Sequence, residues 1–199
     1  MLEAYLHKTK IEVGCDEAGR GSLAGPVVAA AVILPKDFTH ALLNDSKQVS
    51  EKKRAILKTV IQEHALAYAV GVVGHKEIDE INILNASFMA MHRALNKIKI
   101  PFESVLVDGN RFKKYKDSEH HCIIKGDGKY LNIAAASILA KTYRDELMEN
   151  LDEEFPVYSW KKNKGYPTKA HRAAIREFGV NENHRLTFRL LPEQLSLDI

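Results

Sequence analysis

Four acidic residues stand where apolar stretches of the sequence stop. Asp16 and Glu17 close one stretch, Asp108 ends another, and Asp127 follows a third within Lys125-Gly126-Asp127-Gly128. A carboxylate at a strand tip beside a glycine is held by the sheet yet open to solvent. Hard divalent cations such as magnesium take such oxygen ligands while keeping several waters. Two ions about 4 Å apart can activate a water and stabilise the leaving oxygen of a phosphodiester. A single tip acid is ordinarily a solvated turn residue; four of them lower the odds of that reading.

Other motifs were weighed in the same way. Gly19-Arg20-Gly21-Ser22-Leu23-Ala24 matches a variant of the dinucleotide-binding fingerprint directly after a strand. That fingerprint needs a helix next, whereas Gly25-Pro26 and then VVAAAVIL follow, a poor helix and a good strand. Asp16 and Glu17 would also repel a pyrophosphate. The glycines fit better as a loop whose bare backbone can approach a sugar. From Trp160 to Arg176 the chain carries Lys161, Lys162, Lys164, Lys169, Arg172 and Arg176 with no acid, and Tyr166 among them. Positive charge with an aromatic suits a surface that tracks phosphates and stacks on a base or sugar, although a solvated basic face has the same composition. His120-His121-Cys122 lies in a strand-like stretch. Neighbouring strand residues point to opposite faces, so these three do not readily share one metal. Cys15 reads as a packing residue.

These residues need elements to place them. The chain has 199 residues and 45% hydrophobic content, which suits one domain with a sizeable core. The formal charge is only +3, so any nucleic-acid surface must come from where the charges sit. The longest near-continuous apolar run, Leu23 to Leu34, is too short for a membrane span and carries Gly25 and Pro26. The N-terminus shows no secretory signal. Two cysteines, Cys15 and Cys122, fit a reducing cytoplasm rather than a disulfide framework. Apolar alternation predicts a strand over 11–16, and apolar or β-branched runs predict strands over 27–34, 66–73, 104–107 and 121–124, the first two as an antiparallel hairpin. Helical spacing covers 51–64, capped by Ser50, then 76–98, 133–151 and 168–178. Such an order is α/β with a central mixed sheet flanked by helices and a small C-terminal helical region, about 160–199.

Taken together, the motifs resemble a known family. Gly14-Cys15-Asp16-Glu17-Ala18-Gly19-Arg20-Gly21 with Leu23-Ala24-Gly25-Pro26-Val27-Val28-Ala29-Ala30 closely resembles the opening signature of ribonuclease HII. The likeness runs on through Asn44-Asp45-Ser46-Lys47-Gln48, Val107-Asp108-Gly109-Asn110 and Lys125-Gly126-Asp127. It continues in Ile133-Ala134-Ala135-Ala136-Ser137-Ile138-Leu139-Ala140-Lys141, Lys164-Gly165-Tyr166 and His184-Arg185-Leu186-Thr187-Phe188. The resemblance implies an RNase H-like fold over the single domain 1–199. It implies cleavage of RNA in RNA–DNA hybrids and incision 5′ to ribonucleotides embedded in duplex DNA, as in ribonucleotide excision repair. The ends would be 3′-hydroxyl and 5′-phosphate. By motif, Asp16, Glu17, Asp108 and Asp127 are then the catalytic acids holding two magnesium or manganese ions, with Asp16 bridging them. Gly19, Arg20 and Gly21 would contact the ribose 2′-hydroxyl, and Tyr166 would pack on the neighbouring deoxyribose and check the RNA-to-DNA junction. Lys47, Lys141 and Lys164 would meet phosphates.

Asp145 also matches a family acid and could supplement or replace Asp127, or simply pair with a neighbour such as Arg144. With the first strand near residue 11, the pattern points away from ribonuclease HIII and its preceding substrate-binding domain. The last residues, Gln194-Leu195-Ser196-Leu197-Asp198-Ile199, resemble the peptide by which replication proteins bind a sliding clamp. A cytoplasmic monomer is the expectation. The alternatives are another RNase H-like metal nuclease of resolvase or integrase type, or a non-catalytic nucleic-acid-binding module.

Overall fold

The computed structural model describes residues 2–43 and 49–192. Five strands, β1 (Glu12–Ala18), β2 (Val27–Ile33), β3 (Ala67–Val73), β4 (Ser104–Asp108) and β5 (Glu119–Ile123), form one sheet in the order β3-β2-β1-β4-β5. β1, β2 and β3 pair antiparallel, while β4 runs parallel to β1 and to β5. The hairpin and the mixed sheet are as the alternation predicts. The α-helices among the described residues are α1 (Glu51–His64), α2 (His75–Lys97), α3 (Leu131–Glu154), α4 (Trp160–Asn163) and α5 (Lys169–Phe178).

β2 explains the layering. All seven of its residues are buried, so it must be covered on both sides. Val27, Ala29, Ala31 and Ile33 join Val13 and Cys15 of β1 in a core closed by Ile78, Ala86, Ala90 and Met91 of α2. Ala30 and Val32, pointing the other way, join Leu57 and Ile61 of α1 and Ala134, Ala135 and Ile138 of α3. Small residues let α3 approach β1 very closely. A Cβ at Gly14 would lie 2.2 Å from the carbonyl carbon of Asn132. Asn132 fixes the contact by accepting from Leu34 N–H at 2.9 Å and donating to the Glu12 carbonyl at 2.9 Å. At the β3 edge the carbonyls of Val72 and Val70 accept from Arg93 and Lys97, each at 2.7 Å, which blunts strand-to-strand association.

Three local features differ from the periodicity reading. Ser50 stands at the start of α1, but its side chain makes no capping bond. α2 is interrupted at Asn82 (φ 63°), whose Oδ1 accepts from Leu84 and Asn85 N–H and so caps the second segment. The spacing of Ile81 and Leu84 runs straight through this break and hides it. The four-residue α4 is too short to show any periodicity. No helix among the described residues is long and apolar enough to cross a membrane.

Candidate active site

Strand alternation sorts the acids. Val13 and Cys15 face α2, so Asp16 faces α3 and Glu17 turns back toward α2. On β4, Val105 and Val107 also face α2, which leaves Asp108 on the α3 side. Asp108 accepts a hydrogen bond from Gly126 N–H at 2.7 Å, drawing the turn Gly126–Gly128 onto the tip of β4. That turn delivers Asp127. Asp16, Asp108 and Asp127 each place an oxygen within 4.8 Å of the others, the one such group among the described residues.

Asp16 and Asp127 are buried. Asp16 accepts from Glu17 N–H at 2.7 Å and from the Ser137 hydroxyl on α3. Burial, followed by the charges of Glu17 and Asp108, nevertheless pushes its carboxyl well above the usual range. Converging, partly desolvated oxygens of one sign fit a hard divalent cation, which would relieve that repulsion. Glu17 stands outside the trio. It pairs with Arg20 at 3.2 Å and, with Asp108, lines an adjoining cleft of about 270 Å³ against Leu84 and Phe88 of α2. A larger concavity of about 800 Å³ runs beside α2 and is lined by none of the four acids. The convergence of carboxylates, not cavity size, marks the site. Buried Cys15 has its thiol pushed up by burial and by the neighbouring acids, so it packs rather than reacts.

The glycine loop leads into β2 and not into a helix, so the geometry of a dinucleotide site is absent here. Two arginines, whose roles the sequence reading missed, hold this loop. Arg144 of α3 is buried and donates to the carbonyls of Pro26 (2.9 Å), Lys164 (2.8 Å) and Ala24 (3.3 Å). Arg185, also buried, donates to Gly25 and Arg20 carbonyls at 3.0 Å each. Burial and the nearby Arg144 push Arg185 down to about 9, still cationic at neutral pH. Gly19 has φ +98°, and a Cβ there would lie 1.9 Å from Arg144 Nε. The signal available in the sequence was a cation set in the apolar face of α3 and another in His184-Arg185.

Tyr166 lies beside this loop. A Cβ on Gly21 would be 4.0 Å from its ring, and the Arg144 guanidinium sits 5.5 Å from its ring centre. Lys164 pairs with Glu149, and Lys141 with Asp145. Asp145 is buried and also faces Arg54 at 3.6 Å; its close ion pairs are with these two cations, and it does not join the trio. Lys47 and the tail 194–199 fall outside the described residues.

Comparison with known proteins points to one family. The family described as Ribonuclease HII matches residues 13–191. A Ribonuclease HII of Bacteroides thetaiotaomicron is 64% identical over 199 residues, covering all of both chains. The crystal structure of the ribonuclease H2 from Pyrococcus horikoshii superposes with a TM-score of 0.73 at 26% identity, over 90% of this chain and 94% of that one. The structure of the PCNA:RNase HII complex from Archaeoglobus fulgidus gives 0.74 at 24% identity, over 94% and 98%.

Proposed function

The chain belongs to the ribonuclease HII family and is a metal-dependent endoribonuclease, and we propose that Asp16, Glu17, Asp108 and Asp127 carry its chemistry. The observation that carries this reading is the meeting of three carboxylates from β1, β4 and the turn before α3 within 4.8 Å. The match over residues 13–191 sets aside a resolvase or integrase-type nuclease, and the intact acids set aside a non-catalytic module.

In the proposed mechanism Asp16, Asp108 and Asp127 would hold the divalent ions, magnesium or manganese, with two proposed for the site. Such ions ease deprotonation of an attacking water and offset charge on the leaving oxygen. Ser137 and the Glu17 amide orient Asp16, and the Gly126 amide orients Asp108, so the carboxylates are aimed before substrate arrives. Glu17 reaches the cleft from the α2 side and keeps Arg20 beside it. Gly19, Arg20 and Gly21 read the ribose 2′-hydroxyl through a backbone that Arg144 and Arg185 hold rigid. Tyr166 packs on the deoxyribose of the next nucleotide and so registers the RNA-to-DNA junction. Lys47, Lys141 and Lys164 attract flanking phosphates. Asp127 is favoured over Asp145 as a metal ligand because its oxygen converges with those of Asp16 and Asp108, a group that Asp145 does not join.

We read the chain as one catalytic unit in which about 160–199 contacts substrate, acting as a cytoplasmic monomer. The likeness of residues 194–199 to a clamp-binding peptide supports a sliding-clamp contact through this tail, which clamp binding after its deletion would exclude. The reading is tested on a DNA duplex carrying one ribonucleotide, with magnesium present. The expected outcome is one cut on the 5′ side of that nucleotide, leaving 3′-hydroxyl and 5′-phosphate ends and abolished by a chelator. No cut, or equal cutting of the all-DNA duplex, would overturn it.

A further inference from the structure

Behind Tyr166 lies a buried set of rings that the chemistry above does not use. Trp160, His171 and His184 are fully buried, and the Tyr158 ring stacks on Trp160 at 4.9 Å and meets His184 edge-on at 4.9 Å. Trp160 Nε1 lies 2.9 Å from His171 Nε2, which lies 3.2 Å from His184 Nε2. At the far side, His184 Nδ1 lies 3.0 Å from Asn181 N; at the near side, His171 Nδ1 lies 3.0 Å from the Tyr166 carbonyl oxygen.

His184 Nδ1 also lies 3.2 Å from the Asn181 carbonyl oxygen, but only one arrangement of protons gives every N–H in this set an acceptor. The indole and the Asn181 amide can only donate. His171 Nε2 must therefore accept from Trp160, and His184 Nδ1 must accept from Asn181. His184 then carries its proton on Nε2 and shares, at 3.2 Å, the His171 Nε2 lone pair that takes the indole proton at 2.9 Å. His171 carries its proton on Nδ1 and donates to Tyr166. A proton added to either ring would set two donors against each other.

We propose that His171, His184 and Trp160 are positioning residues that fix the main chain of Tyr166 through this ordered pair of neutral imidazoles, and thereby set how sharply the enzyme recognises a ribonucleotide junction. The proposal rests on the reading of Tyr166 given above. Burial lowers both histidines, with Arg172 adding to this for His171, and His171 and His75 for His184, which comes to about 4. The segment they brace needs bracing: Lys164 and Gly165 both lie in the left-handed region (φ 51° and 77°), and a Cβ at Gly165 would be 2.7 Å from the Ala24 carbonyl. The same histidine joins the two recognition elements. His184 bridges Ala24 across a short antiparallel contact, and its neighbour Arg185 holds the Arg20 carbonyl. Tyr166 thus has its backbone set from the ring side and its side chain set against Gly21.

The test compares kcat/KM on a duplex with one embedded ribonucleotide against kcat/KM on an all-RNA/DNA hybrid. Tyr166→Ala establishes how much of that ratio the ring supplies. His171→Leu removes the side-chain donor to the Tyr166 carbonyl and leaves only the Thr168 N–H, which also reaches it at 2.7 Å; His171→Asn keeps a donor near the Nδ1 position. We expect His171→Leu to lower the ratio about tenfold, toward the Tyr166→Ala value, and His171→Asn to restore most of it. In the unaltered protein, imidazole ¹⁵N shifts at neutral pH should show His171 protonated on Nδ1 and His184 on Nε2. A Tyr166→Ala ratio equal to the unaltered protein's would overturn the junction reading and this proposal together. A lowered ratio in Tyr166→Ala with an unaltered one in folded His171→Leu would overturn this proposal alone, as would the opposite tautomers.

Discussion

Arg144 shows how much one buried side chain can organise. Its guanidinium donates to carbonyls from three separate backbone positions, at Ala24, Pro26 and Lys164, and it crosses beneath the Tyr166 ring. A planar fork of donors can serve all three at once, which a lysine ammonium on a flexible stem cannot. Arg144→Met would keep the bulk but leave those carbonyls without their donor. We expect a loss of about 3 kcal/mol in urea unfolding, since buried acceptors would be stranded. The glycine loop would loosen as well, so KM for hybrid should rise more than kcat falls. A variant with unaltered stability and KM would show that the loop does not depend on this arginine.

At the scale of elements, the active site exists because α3 can lie almost on β1. Gly14→Ala would drive a Cβ into the Asn132 carbonyl, where the obstacle is backbone and cannot rotate away. The expected cost is about 2–3 kcal/mol, read as a lower urea midpoint, with activity falling because Ser137 moves off Asp16. An unaltered midpoint would mean that the helix shifts freely. The strands and long helices were legible in two ways: β2 as an unbroken small and β-branched run, buried throughout, and α1 by its three- or four-residue apolar spacing. Asn82 was not legible, because a break that recaps itself leaves the apolar spacing intact. The acids could be read as strand-tip residues, but their convergence depends on which face each strand residue takes and on the Gly126 bond to Asp108. Glu17 was grouped with the rest by motif, whereas alternation turns it toward α2. For Asp145 the sequence left open a metal role or a pairing with Arg144 or another neighbour; on the helix an ion-pair partner lies one turn away, at Lys141.

For the whole molecule, a net charge of +3 divides into opposite regions. Carboxylates collect at the tips of β1 and β4, while Lys161, Lys162, Lys169 and Arg172 stand on and around α4 and α5. If that second region meets the phosphate backbone, affinity must fall steeply with salt as counterions are released. Replacing Lys161 and Lys162 together by Gln should then reduce the slope of log affinity against log salt by about 1–2, with little effect on kcat. An unaltered slope would place the substrate elsewhere. The central claim, that the carboxylates meeting at the strand tips perform the hydrolysis, is tested most directly by Asp16→Asn on the duplex with one ribonucleotide under saturating magnesium. The substitution keeps the size of the side chain and removes the charge shared by the cluster. The account predicts a folded protein whose single-turnover incision rate falls by about a thousandfold or more; incision within a few-fold of the unaltered enzyme would contradict it.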